Sequence, residues 1–330
     1  MGFSTMTSSF DIHRDSGRRV ILFVLGMGRS GSSAVTRVLS LCGATLPAKM
    51  LGANTANPRG YWEPRETLLM NRKILARHQS AWWDPSLRLL EDGVFSTQER
   101  AEHVAKIRTY LRTLPTAPVV VLKDLNIVVL HDIWFEAARS EGYDVASVIP
   151  MRHPHEVISS LSAAARTTPE LTSALWLKGN LLAERHTRDI PRVIVNYANL
   201  LDDWRREIKR VATGLSIDLT PPDERAVDDF LAADLRRQRD DSLVVDRFGR
   251  DWMSTVYEIM SAAARDEPLD TAALERVYDE YRACERDFRR AFDQSTGWQN
   301  SLLNKVTRPS VMKPVLELMA LANRRSGSWA

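Results

Sequence analysis

Apolar positions recur along this chain in two rhythms. Short, largely apolar runs at 20–25, 119–122, 145–149 and 192–195, broken only by Ser147 and opened in the last case by Arg192, alternate with longer segments whose apolar residues are spaced three or four apart. An unbroken run of four to six apolar residues suits a strand buried on both faces, and the three-to-four spacing suits an amphipathic helix. Helices are therefore expected after the first run (Val35, Val38, Leu39, Cys42) and over 65–79, 97–114, 127–139, 154–165, 170–188 and 197–213. Beyond 221 the chain reads as charged helices at 223–234, 251–265 and 271–292. The fold class this predicts is α/β, a parallel sheet flanked by helices on both faces, with a helical C-terminal extension. No linker divides the chain. Residues 1–330 are expected to form a single domain, its core at about 18–240 and a helical C-terminal region at about 241–330.

Two polar interruptions matter for function. Residues 46–65, rich in Gly, Pro and Asn, and the stretch around Trp82-Trp83-Asp84-Pro85 read as loops, and loops on rigid scaffolds tend to carry function. Paired tryptophans suit packing or stacking on a sugar.

The first run leads straight into Gly26-Met27-Gly28-Arg29-Ser30-Gly31-Ser32-Ser33 and then a helix. Such a turn aims backbone N–H groups and a positive helix end at one point, a seat for phosphate or sulfate. Gly26, Gly28 and Gly31 fit a dinucleotide turn, which needs an acidic residue about 20 positions on. No Asp or Glu lies between Asp15 and Glu63. Gly26, Gly31 and Ser33 fit a nucleoside-triphosphate loop, but Ser32 stands where the phosphate-binding lysine belongs. A third reading keeps the phosphate cradle, a P-loop-type fold, and takes its cation from Arg29.

Charge and composition narrow the classes. The formal net charge of +3 calls for neither nucleic acid nor a membrane, yet residues 16–62 hold six basic side chains and no acidic one. An anionic ligand near this segment is the functional reading of that bias. Cys42 and Cys284 are the only cysteines, so neither a disulfide framework nor a cysteine zinc site is implied. His155-Glu156 does not open a zinc helix, because Ser159 occupies the second histidine position. With a polar N-terminus and no long apolar run, a cytoplasmic location is expected, with 311–322 a short amphipathic segment suited to packing, a homodimer contact or peripheral contact with the inner face of the membrane.

The loop Arg29-Ser30-Gly31-Ser32-Ser33 resembles the phosphate-binding loop of the sulfotransferase family, which uses 3′-phosphoadenosine 5′-phosphosulfate (PAPS). A second match lies at Arg152-His153-Pro154, with Ser160 eight residues after the arginine, following the third run. The resemblance covers about 18–240 and looks like a bacterial carbohydrate- or glycolipid-sulfating member. It implies that Gly28, Arg29, Ser30, Gly31, Ser32 and Ser33 hold the 5′-phosphosulfate and that Arg152 and Ser160 hold the 3′-phosphate. It also implies that Arg29 serves the leaving phosphate, that Lys123 serves the bridging oxygen and sulfuryl group, and that a carboxylate is the general base. The product is 3′-phosphoadenosine 5′-phosphate and no metal is expected.

Departures from the family pattern bear on that base. Leu125 stands where aryl and steroid members carry histidine, and Leu125-Asn126 replaces a Pro-Arg pair after Lys123-Asp124. Glycan-type members draw a Glu from the loop after the first helix, which makes Glu63 the first choice, with Glu66 and Asp124 as alternatives. In Asn196-Tyr197-Ala198, Ala198 replaces a common Glu and leaves Tyr197 a structural role. Arg236-Arg237-Gln238-Arg239 resembles a basic segment serving the 3′-phosphate. The acceptor reads as a small molecule, glycan or glycolipid, without nucleic acid. The alternatives are an atypical kinase using ATP and Mg²⁺, for which Asp124 is the one strand-end metal ligand, and a non-catalytic nucleotide-binding protein.

Overall fold

Among the described residues, strands form at β1 (Val20–Val24), β2 (Met50–Leu51), β3 (Glu63–Pro64), β4 (Val119–Lys123), β5 (Asp144–Met151) and β6 (Arg192–Asn196). The computed structural model describes residues 18–54, 57–231, 240, 242–285 and 309–323. The four long apolar runs pair in parallel in the order β4-β1-β5-β6. Val20 aligns with Val119 on one side and Asp144 on the other, and Met151 aligns with Asn196.

Largely apolar runs are required because both faces of this sheet are covered. Ile21, Phe23 and Leu25 enter one core, while Val20, Leu22 and Val24 enter a second core on the opposite face. The second core is covered by α1 (Ser32–Leu41), α7 (Tyr197–Asp202), α8 (Trp204–Leu215) and α9 (Glu224–Phe230). The first, larger core takes α2 (Arg65–Arg77), α3 (Thr97–Leu111), α4 (His131–Ser140), α5 (Pro154–Ala165), α6 (Pro169–Arg185), α10 (Trp252–Ala263) and α11 (Thr271–Ala283). Cys42 lies in the second core, where burial pushes its thiol up to about 12. It is a packing residue.

The chain moves from β1 outward to β4 and then crosses back to β5, so the direction of winding reverses between β1 and β5. Ligands of open parallel sheets bind at that reversal, beyond the carboxyl ends of the strands. The Gly26–Gly31 turn follows β1 there, and Arg152 follows β5.

Three expectations change in detail. The helix expected over 127–139 starts at His131, because Asp124 first caps a 3-10 turn, Leu125–Val129, by accepting from the Asn126 N–H. The helix over 197–213 divides at Asp203, whose carboxylate caps α8. The 46–65 loop carries the antiparallel β2–β3 ladder, Met50 opposite Pro64 and Leu51 opposite Glu63, which fixes where Glu63 points. The amphipathic tail becomes α12 (Pro309–Asn323), and Met312, Leu316 and Ala320 pack with Leu68 of α2. No helix of the described residues is long and apolar enough to cross a membrane. The Arg236–Arg239 stretch lies outside the described residues.

Candidate functional site

The turn after β1 is built around Gly31, the N-cap of α1. Its φ of 87° suits glycine, and a Cβ there would stand 2.3 Å from Cδ2 of Tyr197. Tyr197 thus packs its ring against the turn from within the second core, in keeping with a structural role. No side chain caps α1, and no acidic residue sits in its first turn. The positive end of the helix is therefore left for an outside anion. Ser30 is fully buried, and its Oγ has no hydrogen-bond partner among the described residues. An orphaned hydroxyl inside an anion cradle is what a bound phosphate oxygen would satisfy. Arg29 adopts φ 67°, a left-handed conformation uncommon for a side-chain-bearing residue.

Two motifs more than a hundred residues apart meet here. Arg29 Nε donates to Ser160 Oγ at 2.9 Å, and Arg152 Nη1 donates to the Arg29 carbonyl at 3.3 Å. The Arg152 guanidinium also lies over the Tyr197 ring, 5.1 Å from its centroid. Arg152 and Ser160 are both buried. Sequence reasoning assigned Arg29 to one phosphate and Ser160 to the other; the fold places them in direct contact.

Lys123 ends β4 beside the same turn. Its ammonium donates to Glu63 Oε1 at 2.6 Å, to the Tyr61 carbonyl at 3.1 Å and to Ser33 Oγ at 3.4 Å. Both Lys123 and Glu63 are about 95% enclosed. Ser33 Oγ also donates to the Tyr61 carbonyl, at 3.1 Å, so the β2–β3 loop is stitched to the first turn of α1.

The three carboxylates weighed as bases separate cleanly. Glu66 is exposed on α2. Asp124 is fully enclosed and accepts from Asn71 Nδ2 at 2.9 Å, the Asn126 N–H at 2.9 Å and Asn126 Nδ2 at 2.7 Å. Burial, with the Glu63 charge beside it, pushes the Asp124 carboxyl above the usual carboxylate range. Trp134 Nε1 donates to Asn71 Oδ1 at 2.9 Å and so fixes which way the Asn71 amide faces. Asp124 is thus an architectural group, and Glu63 is the carboxylate in contact with Lys123.

Two residues at this site escaped the sequence reading. Glu156 is buried and takes Arg152 Nε on its Oε2 at 2.5 Å, while the Asp240 N–H donates to its Oε1 at 3.1 Å. The four-residue spacing from Arg152 was a usable signal. Arg72 on α2 lies near Glu63 and Asp124; burial pulls its pKa down and those two carboxylates pull it back up. Nothing in its local sequence marked it.

A narrow cleft of about 40 Å³ opens beside the glycine turn, lined by Met27, Gly28, Trp82, Leu125, Lys178 and Gly179 among others. The two tryptophans part company there. Trp83 is buried in the core, whereas Trp82 is partly buried, packs edge-on against it and faces the cleft. Lys178 is pinned by the carbonyls of Asp84 at 2.8 Å and Ser86 at 2.6 Å, and burial lowers its pKa to about 8.

No family model matches this sequence, and no curated protein matches it. Among solved structures, it is similar to the sulfotransferase domain of a Synechococcus olefin synthase, at 19% identity over 81% of this chain and 96% of that one, with a TM-score of 0.42. It is also similar to the sulfotransferase domain of the curacin biosynthetic pathway, at 14% identity over 79% and 97% of the two chains, TM-score 0.37. A Mycobacterium tuberculosis sulfotransferase matches at 17% identity over 65% and 76%, TM-score 0.35. None of these likenesses carries the functional reading, which rests on the side-chain geometry.

Proposed function

We propose that this chain transfers the sulfuryl group of PAPS to a hydroxyl of a small-molecule, glycan or glycolipid acceptor. The observation that carries the reading is the 2.9 Å contact between Arg29 and Ser160, with Arg152 hydrogen-bonded to the Arg29 carbonyl. It joins an uncapped helix start to an arginine fork, and so suits a nucleotide with phosphates at two positions better than one with a single chain of phosphates. The residues fit such a cofactor: the Ser30 hydroxyl is orphaned and the α1 N-terminus is uncapped.

The cofactor would supply a sulfuryl group already activated on its 5′-phosphate. Residues 28–33 and Arg29 hold the phosphate end, and Arg152 with Ser160 hold the second phosphate. Glu156 grips the Arg152 guanidinium from behind and keeps the fork in place. Lys123 offers its ammonium charge where negative charge grows on the leaving side. Glu63 takes the acceptor proton; Lys123 occupies its Oε1, so the second oxygen is the one that receives it. Positioning and charge do most of the work, as in phosphoryl transfer.

A kinase reading finds less support. Ser32 occupies the lysine position, and Asp124 is enclosed by Asn71 and Asn126, away from any incoming Mg²⁺. Calorimetric titration with 3′-phosphoadenosine 5′-phosphate, against ATP plus Mg²⁺ and against NADH, tests the proposal. Micromolar binding of the bisphosphate, weakened 10- to 100-fold in Arg152→Ala and in Arg29→Ala, is expected for loss of a charge-assisted contact. Binding of ATP alone, and only with Mg²⁺, overturns it. Labelled PAPS with a panel of hydroxyl acceptors then separates an enzyme from a binding protein.

A further inference from the structure

His78 closes α2, and Glu99 and His103 stand four apart in the first turns of α3. The chain thus leaves the fold at His78, runs through 79–96 and returns to the same point. Glu99 is three residues after the α3 N-cap, Ser96, whose Oγ accepts the Glu99 N–H at 3.1 Å. A glutamate in that position commonly turns back to the cap's own N–H. Here its Oε1 turns instead to two imidazoles, 3.1 Å from His78 Nε2 and 3.5 Å from His103 Nε2.

The second contact leaves a problem. His103 is 3% exposed, and its Nε2 has no hydrogen-bond partner among the described residues. A buried polar atom without a partner has given up its hydrogen bonds to water and gained none in return. Burial also holds His103 below its ordinary pKa, with Lys106 and Arg77 adding to that effect against Glu99. Phe95 sets its ring edge-on to both imidazoles, centroids 4.7 Å from His78 and 5.7 Å from His103.

We propose that His78, Glu99 and His103 form a divalent transition-metal site of the Zn²⁺ type that clamps the base of the 79–96 loop. Metal–ligand bonds of about 2.0–2.1 Å in a tetrahedron place neighbouring ligand atoms about 3.3–3.4 Å apart. Two edges of the cluster, 3.1 and 3.5 Å, already have that length, and all three ligand atoms lie within 4.8 Å of one another. Small imidazole rotations close the third edge, and water takes the fourth position. Two histidines and a carboxylate are a borderline-soft donor set that favours Zn²⁺ over Mg²⁺ or Ca²⁺. None of the three belongs to the Arg29–Lys123–Arg152 constellation, so the metal's task is to hold the loop. That loop carries Trp82, which faces the cleft beside Gly28.

Chelator-treated full-length protein titrated with Co²⁺ should bind one equivalent with the intense visible absorption of four-coordinate cobalt, and Zn²⁺ should displace it. His78→Asn and Glu99→Gln, both at partly exposed positions, should weaken binding at least tenfold. His155→Asn should leave it unchanged; this variant controls for the His153–His155–Asp240 cluster, whose ligand atoms also lie within 4.8 Å of one another. Zn²⁺ should slow tryptic cleavage at Arg88 in the wild-type protein and not in His78→Asn. Absence of saturable binding, equal binding in His78→Asn, or loss in His155→Asn instead overturns the site. Unchanged cleavage with metal bound overturns the clamp.

Discussion

Lys123 and Glu63 are opposite charges 2.6 Å apart and about 95% enclosed, and their worth can be worked out before any experiment. At an effective dielectric constant of about 20, Coulomb attraction at that separation is about 6 kcal/mol. Removing two ions from water costs several kcal/mol each, so the pair nets close to zero against two neutral groups. Removing one partner alone is different, because it strands a buried charge at a cost of about 3–5 kcal/mol. Glu63→Gln and Lys123→Met should each destabilise by about that amount, the glutamine somewhat less because its amide oxygen still accepts from Lys123. The double variant should fall within about 1–2 kcal/mol of the wild type. Urea unfolding followed by circular dichroism, at constant slope, reads the four corners of this cycle. A coupling of at least about 2 kcal/mol is expected. Additive losses would refute the electrostatic account and reduce the contact to a local hydrogen bond. Glu63→Gln also probes the chemistry: it should bind the bisphosphate nucleotide within about threefold of wild type yet lose about 100-fold or more in turnover. Unchanged turnover would remove Glu63 as base.

Gly31→Ala should cost about 2–5 kcal/mol, from left-handed backbone strain plus the clash of its Cβ with Tyr197. In a Tyr197→Ala background only the strain of about 1–2 kcal/mol should remain, and an unchanged penalty there would show that Tyr197 is not the obstacle. The stacked imidazoles of His131 and His186 predict a pH dependence. Burial lowers His131 to about 4 and His186 to about 3, so the unfolded chain binds more protons once pH falls below about 6.5. Their contribution is present above that pH and is lost as pH falls toward 4 and then 3. The gap between unfolding midpoints at pH 7 and pH 5 should narrow in His186→Gln, His131 still contributing its share, and an undiminished gap would assign the acid sensitivity elsewhere.

The alternation of largely apolar runs with periodic segments sufficed to read the sheet, its parallel sense and its helical cover. A strand flanked on both faces must be apolar nearly throughout, as Val20 through Leu25 are, and the buried exception in β5, Ser147, donates its hydroxyl to the Phe23 carbonyl. The glycine turn was legible for a related reason, since local backbone geometry demands specific residues there. The two-edged tail was legible only as amphipathic. That its apolar edge would lie against Leu68 depended on where α2 happened to stand.

Burial and pairing were beyond local reading. Asp124 and Glu63 are both carboxylates near a strand or loop end, and nothing in the letters shows which of them is fully enclosed. Asn71 and Trp134, from two other helices, turn Asp124 into an enclosed cap, while the two-residue β2–β3 ladder delivers Glu63 to Lys123. Arg29 and Ser160 stood out in the sequence as candidate anion-binding residues, but their contact required the winding to reverse between β1 and β5. His78 and His103 likewise became neighbours only when α2 and α3 folded around one loop. Local composition specifies which segments can be strand, helix or turn, because those choices depend on near neighbours along the chain. Which charges meet, and in what dielectric, depends on residues far apart in sequence, so it emerges only when the layers close.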